Sequence, residues 1–259
     1  MGPCFSKICF YSLLFAFIAG QGCVISGREI TKKRARALED LGVSYLMEGE
    51  PNLAVRHLIE AAKEDPADPH IAHSLALAYR DLGIYDRALA EFQRALALKG
   101  DLPQLVNNLG VTYLLMGRLD DAISCFNKAA AIISYATPQY ALLNLGLAYY
   151  QKGHYMRAIG YYEEALEVDP SFVMAYENLG LAYEAVGKWE KAHEAYRASI
   201  SYEPGSPNAY LLLGKFLRRL GRTSEAVVMF RKAFDLDSDG CKGREALEIL
   251  NETDADLNR

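Results

Sequence analysis

His70 and His73 stand three residues apart, a spacing that sets both imidazoles on one face of a helix and can hold a divalent metal if a third ligand joins them. No third ligand lies within sequence reach, and the pair reads as two polar residues of a groove. Other chemistry-bearing patterns are missing from the 259 residues: there is no HExxH, no GxSxG, no phosphate-binding glycine loop and no paired CxxC. Asn251-Glu252-Thr253 fits a glycosylation sequon, read as a coincidence beside the N-terminal signal described below. The sequence therefore assigns no catalytic residue, no metal and no cofactor, and the chain is expected not to be an enzyme.

The elements that would position any such residue recur along the chain. Gly42, Ala76, Gly110, Gly146, Gly180 and Gly214 are separated by 34, 34, 36, 34 and 34 residues. Gly49, Gly83, Gly117, Gly153, Gly187 and Gly221 keep the same steps, and so do Ala54, Ala88, Ala122, Ala158, Ala192 and Ala226. Three series in one register exclude chance, and a period of 34 is that of a helix-turn-helix solenoid. Such arrays stack linearly, so the length is read as one continuous array and not as separate globular domains. A composition of 51% hydrophobic and 24% charged residues is that of a folded chain. The net charge of -5 comes with no basic stripe, which argues against nucleic acid as a partner.

Each unit consists of two amphipathic helices, A and B, with a glycine at the turn between them. In the first, Leu38, Leu41, Gly42 and Tyr45 form helix A, Gly49 closes it, Ala54, Leu58 and Ala61 form helix B, and Pro66 ends that helix. The third repeats this with Val106, Leu109, Gly110, Tyr113, Gly117, Ala122, Phe126 and Ala129. These residues resemble the tetratricopeptide repeat in six copies, 35–68, 69–102, 103–136, 139–172, 173–206 and 207–240. The resemblance implies an all-α solenoid, a right-handed superhelix of helix-turn-helix units with a C-terminal capping helix. Glycine or alanine is small where helices A and B approach, and the aromatics fill the space between repeats. Two residues are added within Ile133-Ser134-Tyr135-Ala136-Thr137-Pro138, where Pro138 suits the first turn of the next helix. The fifth repeat has Ser199 where alanine is usual. In the sixth, Leu217 replaces the tyrosine and Ser238 the proline, a weakening expected at an end. Beyond Gly240, Arg244 to Leu250 reads as the capping helix with Leu247 and Leu250 turned to the last repeat, and 251–259 as a frayed polar tail. Cys125 and Cys241 lie three repeats apart, too far for a disulfide.

The first thirty residues are of another kind. Ile8 to Ala19 is apolar over 12 residues, preceded by Lys7 and followed by Gly20-Gln21-Gly22-Cys23. That is short for a membrane span and suited to a signal h-region, with an uncleaved anchor as the alternative. Ala19-Gly20-Gln21-Gly22-Cys23 resembles a bacterial lipoprotein processing site, departing from it in having Gly20 three residues before the cysteine. The resemblance implies a signal peptide over 1–22, lipidation of Cys23, palmitate included, and a tether over 23–34 ahead of the array at 35–240 and the cap and tail at 241–259.

In this repeat architecture two helix-A positions one turn apart face the inner groove. The first runs Glu39, His73, Asn107, Leu143, Glu177, Leu211, and the second Val43, Leu77, Val111, Leu147, Leu181, Lys215. With Leu46, Leu114, Tyr140 and Tyr150 they form a largely apolar groove, expected to bind a protein partner and no small-molecule substrate. The alternative is that the array closes over these residues and buries them.

The signal segment with Cys23, the six repeats and the Thr137-Pro138 junction followed by Leu142-Leu143-Asn144-Leu145-Gly146 together resemble the type IV pilus biogenesis and stability lipoproteins, the pilotin family. What the resemblance implies is an outer-membrane lipoprotein facing the periplasm of the bacterial cell envelope. It would bind secretin subunits of the pilus and promote their localisation and assembly, without covalent chemistry. Two alternatives stay open: a periplasmic adaptor of another envelope complex (cell wall, polysaccharide export or protein sorting), and a non-catalytic subunit of an enzyme complex.

Overall fold

The computed structural model describes residue 27 and residues 29–99, 102–132 and 135–257, with side chains through Thr253. Among the described residues there are helices and no strands: α1 (29–47), α2 (Pro51–Glu64), α3 (Pro69–Asp81), α4 (Tyr85–Lys99), α5 (Pro103–Leu115), α6 (Leu119–Ala130), α7 (Pro138–Gln151), α8 (Tyr155–Val168), α9 (Val173–Ala185), α10 (Trp189–Tyr202), α11 (Pro207–Arg219), α12 (Thr223–Leu236) and α13 (Cys241–Leu257). Odd-numbered helices to α11 are the A helices of six repeats, even-numbered ones to α12 the B helices. No helix among the described residues is long and apolar enough to cross a membrane. The chain divides into two compact halves, residues up to Thr112 and residues from Tyr113 on, and each has its own core.

Local sequence explains the punctuation. Proline opens α2, α3, α5, α7 and α11, where its missing N–H would be unpaired anyway. Asp68 and Ser206 accept from the backbone N–H of His70 and Ala209 at 2.8 and 3.4 Å, capping α3 and α11. All six turn glycines, Gly49 to Gly221, have φ between 72 and 75°, the left-handed region that a Cβ disfavours. That single requirement accounts for the whole series.

The alanine series Ala54 to Ala226 is buried in every repeat, and so are Leu58, Phe92, Phe126, Tyr162, Tyr196 and Phe230, sixteen residues beyond the glycine series. The small residue of helix A faces this large side chain, not the alanine of helix B. A Cβ built on Gly42, Gly180 or Gly214 would lie 2.5 to 2.6 Å from the nearest carbon of Leu58, Tyr196 or Phe230. Ser199 fits its alanine site because its hydroxyl donates to the carbonyl of Tyr196 at 2.8 Å. In the C-terminal half one apolar cluster runs from Leu143 to Leu250.

The ends of the array differ from the expectations. The tether read over 23–34 is helical from residue 29, where Glu29 and Lys33 pair one turn apart at 3.2 Å and Ala35 is buried with Ala61 and Ile71. Leu41 is exposed, since no earlier repeat covers it. The capping helix runs to Leu257, so residues 251–257 are not a frayed tail. Its inner stripe is Ala246, Ile249, Leu250 and Thr253, at three- and four-residue steps, and Leu247 points outward instead. The carboxylate of Asp237 accepts from the N–H of Lys242 and Gly243 at 3.1 and 3.2 Å, which supplies α13 with an N-terminal cap. The signal segment 1–22 and Cys23 lie outside the described residues.

Candidate protein-binding surface

Within each half the A helices stand side by side, tied by side chains 31 to 35 residues apart. Ser74 donates to Glu39 at 3.1 Å, His73 and Asn108 meet at 2.9 Å, and Asn208 donates to Glu177 at 2.9 Å. These are the residues, or neighbours of the residues, that supply the polar points of the expected groove. Burial raises the pKa of the Glu39 carboxyl, and hydrogen bonding to Ser74 only partly offsets it. Burial likewise lowers His73 to about 4, helped by the nearby His70 and Arg80. The ring of His73 leans on Phe92, centroids 6.0 Å apart. His70 is engaged elsewhere, its Nε2 2.9 Å from the ammonium of Lys99. Among the described residues no three His, Cys, Asp or Glu side chains gather where they could hold a metal ion.

The two groove positions therefore separate. The later one is half-buried wherever it is apolar, at Val43, Leu77 and Val111 in the N-terminal half and at Leu147 and Leu181 in the C-terminal half. The earlier one turns inward from the third repeat on, while Glu39 and His73 are half-buried. Asn107 is 8% exposed and Leu143 5%, with Glu177 and Leu211 as deeply placed, so Asn107 and Leu143 are corrected from surface residues to packing residues. The reason is the close spacing of neighbouring A helices, which encloses the position between them while leaving the residue one turn on at the rim. Leu46 and Leu114 are half-buried.

The C-terminal half is rich in aromatics here. Tyr140 is exposed, its ring edge-on to Phe172 with centroids 5.0 Å apart, and Tyr150 meets Tyr155 at 5.1 Å. Beneath them, Tyr162 and Tyr196 occupy sites that hold phenylalanine in other repeats. The Tyr196 hydroxyl donates to Glu184 at 2.5 Å, and Arg219 donates to the same carboxylate. Burial and that carboxylate push the Tyr196 phenol far above its usual range. The Tyr162 hydroxyl is buried with no hydrogen-bond partner among the described residues.

Sequence reasoning missed three contributors. Met174 is exposed 34 residues beyond Tyr140, so the period itself pointed to it. Leu115, 55% exposed, follows Leu114 on the same rim. The Tyr196–Glu184–Arg219 link joins three helices of two adjacent repeats, and no local pattern signals it.

Models of the tetratricopeptide repeat match residues 76–117, 101–171, 161–194 and 180–240. The chain belongs to the tetratricopeptide repeat family. Proteins of this family bind protein partners and serve in general as non-catalytic interaction scaffolds. The fold is similar to that of PilW, described as a widely conserved type IV pilus biogenesis factor, at 23% identity and TM-score 0.71, covering 82% of this chain and 98% of that one. It is also similar to PilF of Pseudomonas aeruginosa, at 20% identity and TM-score 0.66, covering 85% and 97%. The repeats are 33% identical over 135 residues to the BBSome complex member BBS4 of Bos taurus, which takes in 52% of this chain. The chain spans a quarter of the length of that relative.

Proposed function

We propose that this repeat protein is an outer-membrane lipoprotein that assists type IV pilus biogenesis, held by lipid on Cys23 and binding secretin subunits so that they localise and assemble. The observation that supports the reading is the extent of the likeness to PilW, which takes in 82% of this chain and 98% of a pilus biogenesis factor at TM-score 0.71. The half-buried apolar residues of the A helices, Val43, Leu77 and Val111 in the N-terminal half and Leu147 and Leu181 in the C-terminal half, give each half its own contact surface on this reading. A partner segment laid on it buries apolar area worth roughly 25 cal/mol per Å2 before the costs of ordering are subtracted.

The test is retention of secretin from an envelope extract on the immobilised full chain, beside Val111→Glu and Leu147→Glu. The native chain is expected to hold secretin subunits identified by mass spectrometry, and each variant to lose at least tenfold while its helical circular dichroism persists. A native chain that retrieves no secretin ends the proposal. For the anchor, metabolic labelling with palmitate is expected to mark the native chain and not Cys23→Ser.

A further inference from the structure

Five repeats carry a tyrosine as their eleventh residue, in helix A, at Tyr45, Tyr79, Tyr113, Tyr149 and Tyr183, and the sixth carries Leu217. Four of these rings have a cation over them: Arg87 at 5.6 Å from Tyr79, Arg118 at 4.5 Å from Tyr113, Arg157 at 5.5 Å from Tyr149, and Lys188 and Lys191 at 6.0 and 5.4 Å from Tyr183. Tyr183 shows where the ring lies. It projects from α9 into the seam between the B helices α8 and α10, and its hydroxyl donates to Glu163 of α8 at 2.6 Å.

Thirty-four residues on, the same seam between α10 and α12 has a leucine where the tyrosine would be, and its remaining rings are those of His193 and Tyr210 in the wall. Leu217, Arg197, Arg222 and Glu225 take the places of Tyr183, Glu163, Lys188 and Lys191. All four line an open cleft of about 570 Å3, a size within the range of ligand pockets. Its apolar lining includes Leu213, Leu217, Ile200 and Met229. Val228, 58% exposed, stands at its mouth, where the other repeats have Arg56, Ala90, Ser124, Gly160 and Glu194. Arg222 pairs with Glu225 at 2.7 and 2.6 Å, as Arg118 pairs with Asp121 while lying over Tyr113, so the ion pair is compatible with a ring beneath the guanidinium. Arg197 is exposed and, among the described residues, has no ion-pair partner.

We propose that this cleft is a socket for an aromatic side chain of a partner polypeptide, a tyrosine or phenylalanine with a carboxylate beside it. The ring replaces the one that the sixth repeat lacks, resting on Leu217 beneath Arg222 as the sister rings rest beneath their own cations. The adjacent carboxylate pairs with Arg197, which stands at the mouth where Glu163 stood for Tyr183. The socket belongs to the B-helix side of the last repeats, away from the A-helix row, so its occupant and the partner of that row can bind together.

The test is a titration of the full chain, methyl-labelled at Met, Leu and Val, with the capped dipeptide Ac-Asp-Tyr-NH2 followed by NMR. Saturable shifts are expected at Met229, Val228 and Leu213, at least tenfold weaker with Ac-Asp-Leu-NH2 and several-fold weaker with Ac-Asn-Tyr-NH2. Leu217→Tyr supplies the missing ring and is expected to fold, melt no lower than the native chain and lose the response. Val228→Arg, at an exposed site that does not bear on folding, blocks the mouth and is expected to lose it too. No saturable shift, an equal response to the leucine peptide, or an undiminished response in Val228→Arg overturns the proposal. So does tighter binding of 4-hydroxyphenylacetate than of Ac-Asp-Tyr-NH2, which would make the site one for a small aromatic acid.

Discussion

Gly180→Ala isolates the contact that sets the distance between helices A and B. A Cβ at this position would lie 2.5, 2.7 and 2.8 Å from three ring carbons of Tyr196. Ordinary carbon contacts are roughly 3.5–4.0 Å, so ring or helix must move by about 1 Å. The ring has little freedom to do so, being fully buried and held at its far end by Glu184. Overpacking of this kind costs about 1–3 kcal/mol, against a gain of roughly 0.5–1 kcal/mol from replacing a helical glycine by alanine. The net expectation is a loss of up to about 2.5 kcal/mol. Gly160→Ala is the matched control, because Gly160 lies inside α8 with nothing within 4 Å of its would-be Cβ, so only the gain of about 0.5–1 kcal/mol remains. Urea denaturation followed by circular dichroism should place the midpoint of Gly180→Ala below the native value and that of Gly160→Ala above it. Equal midpoints for the two variants would refute the close-approach account of the glycine series.

Two further perturbations test the ends of the argument. His73 has a pKa of about 4 in the folded chain against an ordinary 6.5, so folding is opposed by its protonation: stability falls as pH drops from about 6.5 towards 4, by up to about 1.4 kcal/mol per pH unit from this group. His73→Gln is expected to show a shallower loss than the native chain between pH 7 and 4.5 in the same urea assay, and parallel curves would contradict the burial of the imidazole. Asp237→Ala removes the carboxylate that caps α13 and is expected to cost about 0.5–2 kcal/mol, seen as faster hydrogen exchange across α13 than across α11.

The fold was legible because its constraints are local and repeated. Gly49 and its five equivalents need a positive φ, and Ala54 and its equivalents must be small, so each signal occurs six times in one register. The contact partner of Gly180 was not legible, since which residue of helix B faces it depends on how the two helices cross. The candidate surface was half legible. Val43, Leu77, Val111, Leu147 and Leu181 follow from the period, but Asn107 and Leu143 are enclosed by the spacing of neighbouring A helices, a tertiary quantity that no sequence pattern fixes. The ends were read least well. The sequence pattern turns Leu247 inward and gives no sign of Ile249, whereas the structure does the reverse, because a single helix without a repeat gives its periodicity only one chance to be seen.

The polar residues of the A helices show how stacking and binding divide one surface. Glu39, His73 and Glu177 are each turned to a partner on the next A helix, and so orient one repeat on another. Lys215, Arg218 and Arg219, the cations that close the row on α11, are paired in turn with Glu245, Glu252 and Glu184. A partner seeking charge on this face would have to displace an internal pair, and leaving a carboxylate such as that of Glu184 without its cation in a largely buried site is costly. The apolar row carries no such obligation. On the proposed function, contact with the A-helix face is therefore expected to be apolar in character, its selectivity coming from which side chains fit between Leu147, Leu181 and the aromatics beside them.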